Sequence, residues 1–297
     1  MVVHHLRLGQ IHRTNHVLLA AGGKGLNVAR AAYALGQNLR VCAPLGGPTG
    51  QLVAHLAAQE GFEDWWYWYE NGDTRTCILL IDPEGGDATV INEHGPALPM
   101  DDWQSFTASV VAASENCGLV TISGSLPPGL PPSALADLVR QLVADGHRVL
   151  VDSSGPALSA VLESGPYGVK VNDSELAAAL GKPIGSLDGA VAALTQVRAK
   201  GIELGVVTLG AQGALAMNGH ETVLAAPPSI RVISTVGSGD SLMAGLATGL
   251  LRGWSLREAL HLGVACGAAD ALSIGGGLLH QPDLDAMRSA TIVKLYP

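Results

Sequence analysis

The chain is short of charge. Only 14% of its 297 residues are Asp, Glu, Lys or Arg, and a net charge of −9 is spread thinly along it. It has no basic run able to track a phosphate backbone, which argues against nucleic acid as a partner. No uninterrupted apolar stretch reaches membrane-spanning length, and residues 1–13 lack the charged-then-apolar order of a secretory leader, so a cytoplasmic protein with no membrane partner is expected. Its four cysteines, Cys42, Cys77, Cys117 and Cys266, have no paired spacing that would suggest zinc or a redox dithiol, and they read as reduced core residues. There is no internal repeat and no low-complexity linker. By length alone, one large α/β domain and two smaller ones fit equally well.

What the sequence does have is glycine turns that run into helices. The sharpest is Thr235-Val-Gly-Ser-Gly-Asp-Ser-Leu-Met-Ala-Gly245, which delivers one acidic side chain into the first turn of an apolar helix. The unpaired amides of a helix start, at the positive end of its dipole, make Gly237, Ser238, Gly239 and Asp240 a candidate anion hole beside a candidate base. That pairing suits phosphoryl transfer to a hydroxyl. The alternative reading of Asp240 is a helix cap. A second turn, Ala21-Gly-Gly-Lys-Gly-Leu-Asn-Val-Ala-Arg30, opens a helix that stops at Gly36. There Lys24 can offer a point charge to a phosphate and Asn27 a hydrogen bond to a hydroxyl.

Between these turns the apolar pattern alternates. Strands are expected at Val17–Ala20, Leu39–Ala43, Gly118–Ser123, Arg148–Asp152, Val169–Asn172 and Gly205–Leu209, with helices between them, a βα rhythm of parallel strands covered on both faces. The rhythm breaks at Trp65–Tyr69, Thr74–Ile81 and Ala88–Asn92, with turns at 71–72 and 83–86, which read as an antiparallel lid. Arg75 on that lid is either an exposed structural arginine or a clamp for a substrate phosphate. The strand exits Ser123–Gly129 and Asp152–Gly155 fall where an α/β pocket is expected. Asn172 and Glu175, three apart at a helix start, can hold metal-bound water near phosphates, or Asn172 can serve as a cap. Ile274–Gly277 is a glycine loop able to approach a nucleotide or an ion through its backbone.

Taken in order, Gly22-Gly-Lys-Gly-Leu-Asn27, Ser123-Gly-Ser-Leu-Pro-Pro-Gly129, Lys170-Val-Asn-Asp-Ser-Glu175 and Thr235-Val-Gly-Ser-Gly-Asp240 resemble the motifs of the PfkB, or ribokinase-like, carbohydrate kinases, over about residues 6–278. The resemblance implies a single kinase domain over 1–297: a three-layer α/β/α sandwich with a mostly parallel central sheet, and a small β lid formed by about 1–20 and 62–98. It is closest in wording to the hexose-phosphate branch, of the 1-phosphofructokinase, tagatose-6-phosphate kinase and minor 6-phosphofructokinase type. It therefore implies ATP-dependent phosphorylation of fructose 1-phosphate, fructose 6-phosphate or tagatose 6-phosphate. On this resemblance Asp240 is the general base, and the amides of Gly237, Ser238 and Gly239 hold the transferring group. Lys24 and Arg75 match positions for the phosphate already on the sugar, with Gly22, Gly23, Asn27 and Ser125 in sugar-contacting motifs. Lys170, Asn172 and Glu175 match the ATP and magnesium motif, and Thr208, Gly210 and Gly213 match nucleotide-loop positions. Ser234, Val236, Asp270, Ser273 and Gly275 match a monovalent-cation site, for potassium, found in some relatives. A homodimer through the lid is also implied.

One departure goes with the resemblance. Relatives usually begin with a core strand, an Asn-Pro-Ala-like turn and a sugar-binding aspartate, and here Met1 stands just after that point. A start set too late and a real loss both account for it: the chain as given lacks a central strand and a substrate ligand, and a real loss would leave a sheet position open and sugar binding weak. The competing functions are therefore a kinase of an unphosphorylated sugar or nucleoside, and a catalytically impaired relative that binds nucleotide or sugar.

Overall fold

Strands whose residues alternate between two apolar surroundings build the centre of the molecule. In the strand Val149–Asp152, all of it buried, Val149 and Val151 pack on one side and Leu150 on the other. Such a strand needs helices on both faces. The computed structural model describes residues 1–61, 63–83 and 88–297, with the backbone alone at Glu63. Its elements, in order, are α1 (Lys24–Ala34), β1 (Arg40–Leu45), α2 (Gly47–Ala58), β2 (Glu63–Trp68), β3 (Cys77–Ile81), β4 (Ala88–Asn92) and α3 (Met100–Ser114). There follow β5 (Val120–Ser123), α4 (Ser133–Ala144), β6 (Val149–Asp152), α5 (Gly155–Val161), β7 (Gly168–Asn172), α6 (Asp173–Leu180), α7 (Leu187–Ala199) and β8 (Leu204–Thr208). The last are β9 (Ala214–Met217), β10 (Thr222–Ala226), α8 (Ser238–Leu251), α9 (Leu256–Asp270), α10 (Gln281–Ala290) and β11 (Ile292–Leu295).

The main sheet has seven strands in the order β11-β10-β9-β8-β7-β6-β5. From β5 to β8 the pairing is parallel, and from β8 to β11 antiparallel. One face packs α4, α5 and α7, through residues such as Leu138, Leu158 and Leu194. The other packs α8 and α9, through Met243, Leu246 and Leu260. These are the three α/β/α layers that the resemblance implies. α8 and α9 approach closely because their contact is made of small residues: a Cβ on Gly249 would stand 2.6 Å from Cα of Ala259, and one on Gly245 2.8 Å from Cα of Gly263.

Two readings of the sequence need correcting. The Trp65–Tyr69 segment is not part of an antiparallel lid, because β2 pairs parallel with β1, Trp65 opposite Cys42 and Trp68 opposite Leu45. Aromatic and β-branched residues suit either kind of strand, and only the distant partner decides. Val17–Ala20 forms no strand: among the described residues nothing pairs with it, and Val17, Leu18 and Leu19 are at least half exposed. The hairpin β3–β4 is antiparallel as expected, over a shorter span, and Val2 bridges to Ile81 beside it. Of the expected 83–86 turn, residues 84–86 lie outside the described residues. All four cysteines are free, but Cys77 is exposed on the hairpin and only Cys266 is buried.

The β1–β2 pair is a separate sheet. Between it and the main sheet runs a cavity of about 1790 Å³, lined by β1 on one side and β5 on the other. Among the described residues neither strand has a partner across it. This is the sheet position that the reading of the sequence left open.

Candidate active site

Four strands of the main sheet end in polar residues, and their register lines these up in two pairs. Ser123 lies opposite Asp152, and Asn172 opposite Thr208. Ligands of parallel α/β sheets bind beyond such carboxyl ends, and α1 and α8 begin there too. Gly23, at φ 117, precedes α1, and Gly237, at φ 98, precedes α8. Gly237 has a second reason to be glycine: a Cβ there would stand 2.3 Å from Cα of Gly276 in the loop behind α9.

At the start of α8 the Ser238 amide turns back toward Thr235 O at 3.3 Å, and the Ser241 amide closes on Gly237 O at 2.8 Å. Helix geometry leaves the amides of Gly239 and Asp240 between them without an intrahelical acceptor. Asp240 is not a helix cap, since Gly237 holds that position and no side chain caps the helix. Its carboxylate is 5% exposed, and Oδ2 accepts from Nδ2 of Asn27 at 2.8 Å. Burial pushes its pKa up to about 6 against the pull of the Asn27 hydrogen bond; Asp152 adds to the rise, and Lys170 and Lys24 oppose it.

Lys24 and Lys170 meet through one carboxylate. Asp152 is fully buried at the end of β6; its Oδ1 accepts from Lys24 Nζ at 2.8 Å and its Oδ2 from Lys170 Nζ at 2.5 Å. Lys24 also lies 3.8 Å from Glu175 Oε1. Burial works to lower its pKa, but Asp152, helped by Glu175 and Asp240, outweighs this and leaves it raised. The candidate acceptor-side and nucleotide-side lysines are thus wired to a residue that the sequence reading had noted only as a polar strand exit.

Asn172 and Glu175 form a capping box on α6: Asn172 Oδ1 accepts from the Glu175 amide at 2.7 Å, and Glu175 Oε2 from the Asn172 amide at 3.0 Å. Only Oε1 of Glu175 is left outside the cap. Among the described residues no group of three His, Cys, Asp or Glu could hold a metal; a single carboxylate edge beside phosphates is the kind of donor that fits a divalent ion through its water shell. Thr208 reaches only Val171 O, at 3.5 Å, and Gly210 opens the short 3-10 turn that ends before Gly213. At Gly213, with φ 91, a Cβ would lie 2.0 Å from Ala225 O.

Lys24, Gly22, Gly23, Arg75 and Ser125 all line the large cavity, whereas Asp240 and Gly237–Gly239 lie outside its wall. Five of the expected acceptor-side residues thus share one long cavity, and Asn27, hydrogen-bonded to Asp240, links the start of α1 to the base. The expected cation residues cluster behind α8. Asp270 is fully buried and Oδ1 accepts from the Leu278 amide at 3.0 Å. Burial is the main cause of a pKa pushed up to about 7, and the Leu278 amide opposes it. Ser234 Oγ accepts from the Val236 amide at 3.2 Å, and Gly275 sits at φ 114 in the adjoining loop. Among the described residues, Asp270 Oδ2 and Ser273 Oγ are buried with no hydrogen-bond partner. Orphaned oxygens of this kind fit a bound cation.

Comparison with known proteins accords with this geometry. Residues 2–282 match the model of the pfkB family carbohydrate kinases. A relative in Haemophilus influenzae, 1-phosphofructokinase, is 37% identical over 265 residues, 89% of this chain and 84% of that protein. The crystal structure of phosphofructokinase-2 from Escherichia coli in complex with substrates and products superposes with a TM-score of 0.90 at 31% identity, over 97% of this chain and 94% of that one. The potassium complex of that enzyme gives 0.89 at 31%, over 97% and 93%, and its tetrameric inhibited form 0.88 at 30%, over the same shares.

Proposed function

The chain belongs to the pfkB family of carbohydrate kinases, and from that premise we propose that it transfers the γ-phosphoryl group of ATP to a hydroxyl of fructose 1-phosphate. A sugar-phosphate kinase is the class; fructose 1-phosphate is the member of it that the Haemophilus influenzae relative's name supports. The observation that carries the reading is the convergence at the start of α8: a buried carboxylate with raised proton affinity beside two lysines that share Asp152.

In this reading Asp240 takes the proton of the attacking hydroxyl, a role that supplies about 10²–10⁴-fold of rate. Asn27 orients the carboxylate through its hydrogen bond. The amides at the start of α8 face the charge that develops on the transferring group, and Lys170 meets the nucleotide phosphates. Lys24 and Arg75 hold the phosphate already on the sugar, and Gly22, Gly23 and Ser125 shape its ring pocket. Thr208, Gly210 and Gly213 form the wall against the nucleotide base and ribose. Glu175 would hold the magnesium shell through Oε1, the oxygen outside the cap, with Asn172 shaping the turn. Magnesium, when bound, neutralises phosphate charge. Asp270, Ser273 and the backbone near Ser234, Val236 and Gly275 would hold potassium, whose charge would add to the positive end of α8.

We further read the protein as cytoplasmic and dimeric. No helix in the described residues is long and apolar enough to cross a membrane. The hairpin exposes Ile78 and Ile91, paired across its two strands on one face, an apolar surface suited to a second copy.

The test is a coupled ADP-release assay with a panel of hexose phosphates and free sugars. Fructose 1-phosphate should give the highest kcat/KM. Equal rates with fructose would move the assignment to a free-sugar kinase, and no turnover with any acceptor would leave a binding protein.

A further inference from the structure

Arg30 stands on α1 one turn after Asn27, and the functional reading gives it no task. Its side chain is only 12% exposed, and its donors are spread over four partners. Nε and Nη2 meet the two carboxylate oxygens of Glu60 at 2.6 and 2.7 Å. Nη2 also reaches Ala21 O at 2.7 Å, and Nη1 reaches Gly276 O at 2.6 Å and Asn27 Oδ1 at 3.2 Å. One guanidinium therefore joins the turn before α1, the glycine loop behind α9, the chain just beyond α2, and the amide that touches Asp240. A planar fork with donors on three nitrogens can do this, and a lysine cannot.

A guanidinium only donates, whereas a primary amide has one donating and one accepting end. With Arg30 against Asn27, the amide oxygen is committed to the arginine and the NH₂ is left for Asp240. The loop that Arg30 grips closes the same residue in: a Cβ on Gly276 would stand 2.6 Å from Asn27 Nδ2, and one on Gly277 2.3 Å from the Asn27 carbonyl oxygen.

We propose that Arg30, braced by Glu60, is a positioning residue for the general base: it fixes the sense of the Asn27 amide and seats the 274–277 loop against it. Asp240 then always meets a hydrogen-bond donor and never a second oxygen. The inference rests on the kinase reading, in which Asp240 is the base.

Without Arg30 the amide is free to turn, and Asp240 then loses a donor or gains a repelling oxygen. Both favour its protonated form. The other charged groups acting on Asp240 are Lys24 on α1, Asp152 at the end of β6, Lys170 on β7 and Asp270 on α9, and an Arg30 variant leaves all of them in place.

The experiment follows the Asp240 carboxyl by ¹³C NMR as pH is varied, in the full chain and in Arg30→Met, Asn27→Ala and the double variant. The pH profile of kcat/KM and the thermal midpoint are measured beside it. Arg30→Met should raise the Asp240 midpoint by about half to one pH unit and move the acidic limb of kcat/KM equally. Asn27→Ala should do the same, and the double variant should go no further. A folded Arg30→Met with an unmoved midpoint overturns the proposal, as does a shift that adds to that of Asn27→Ala. Should Arg30→Met not fold, Glu60→Gln takes its place: a smaller shift in the same direction supports the proposal, and none overturns it. The NMR midpoint needs no turnover. Absence of kinase activity in the unaltered chain would thus defeat the functional reading separately from the positioning role.

Discussion

The side-chain amide of Asn27, on α1, donates to Oδ2 of Asp240, in the first turn of α8, at 2.8 Å. This bond holds down a carboxylate that burial drives upward, and the balance leaves a pKa of about 6. A base must be unprotonated to act, so kcat/KM should be level above pH 7 and fall about tenfold per unit below pH 6. Rate measurements at saturating ATP across pH 5 to 9 check this. Asp240→Asn should remove most turnover at every pH while ATP affinity, read by calorimetry, stays nearly unchanged.

The same shift has a sign in stability. A carboxylate whose folded pKa, about 6, exceeds its ordinary value of 3.8 favours folding when protonated, and that contribution is lost as pH rises through 6. Asp240→Asn should therefore stabilise the fold at pH 8 by about 3 kcal/mol, with the gain vanishing near pH 4. Urea unfolding at the two pH values decides.

Asp152 holds two lysines, and one of them, Lys170, is 5% exposed. Removing the carboxylate in Asp152→Ala leaves that ammonium buried without a partner, which typically costs about 3–5 kcal/mol. Adding Lys170→Met should restore part of the loss. A double variant no more stable than the single one would show that the pair is not the cause.

Arg75 lines the cavity with Lys24 and Ser125. If it grips the acceptor's phosphate, Arg75→Ala should raise KM for the phosphorylated sugar by about 10- to 100-fold, the worth of a charge-assisted hydrogen bond, with little change for ATP. An equal rise for an unphosphorylated sugar would sink the phosphate-clamp assignment.

Gly249 tests the packing of α8 on α9, at the end of α8 away from Asp240. Alanine is a better helix former by about 1 kcal/mol, yet its Cβ would stand 2.6 Å from Cα of Ala259. Overpacking costs about 1–3 kcal/mol, a net loss of up to about 2 kcal/mol, so Gly249→Ala should lower the thermal midpoint by up to a few degrees.

The parts of this molecule that were legible in the sequence are those whose causes are local. The turn before α8 needs a residue at positive φ, and the turn before α6 needs a capping box; Gly237 and the Asn172–Glu175 pair announce both. Apolar runs such as 149–152 declare strands covered on two faces. What stayed hidden depends on distant partners. Nothing near Trp65 says that its strand runs parallel to β1, and the short alanine-rich β9 and β10 carry too little pattern to stand out. Asp152 had one local sign, a charge closing an apolar strand, but its two lysines come from opposite sides of it in the chain. Arg30 had none, because its partners are gathered by folding.

The separation of β1–β2 from the main sheet makes cohesion unequal across the site. Asp240 sits on α8, buried along almost its whole length and pressed against α9, whereas β1, β2 and the β3–β4 hairpin stand apart from the seven-stranded sheet across the cavity. Amide exchange should accordingly be slowest in α8 and α9 and fastest in the β1–α2–β2 unit and the hairpin. On heating, that smaller part should open first, carrying Arg75 and Glu60 away while α8 remains folded. Turnover would then be lost several degrees below the loss of helical signal: this protein would stop working before it melts.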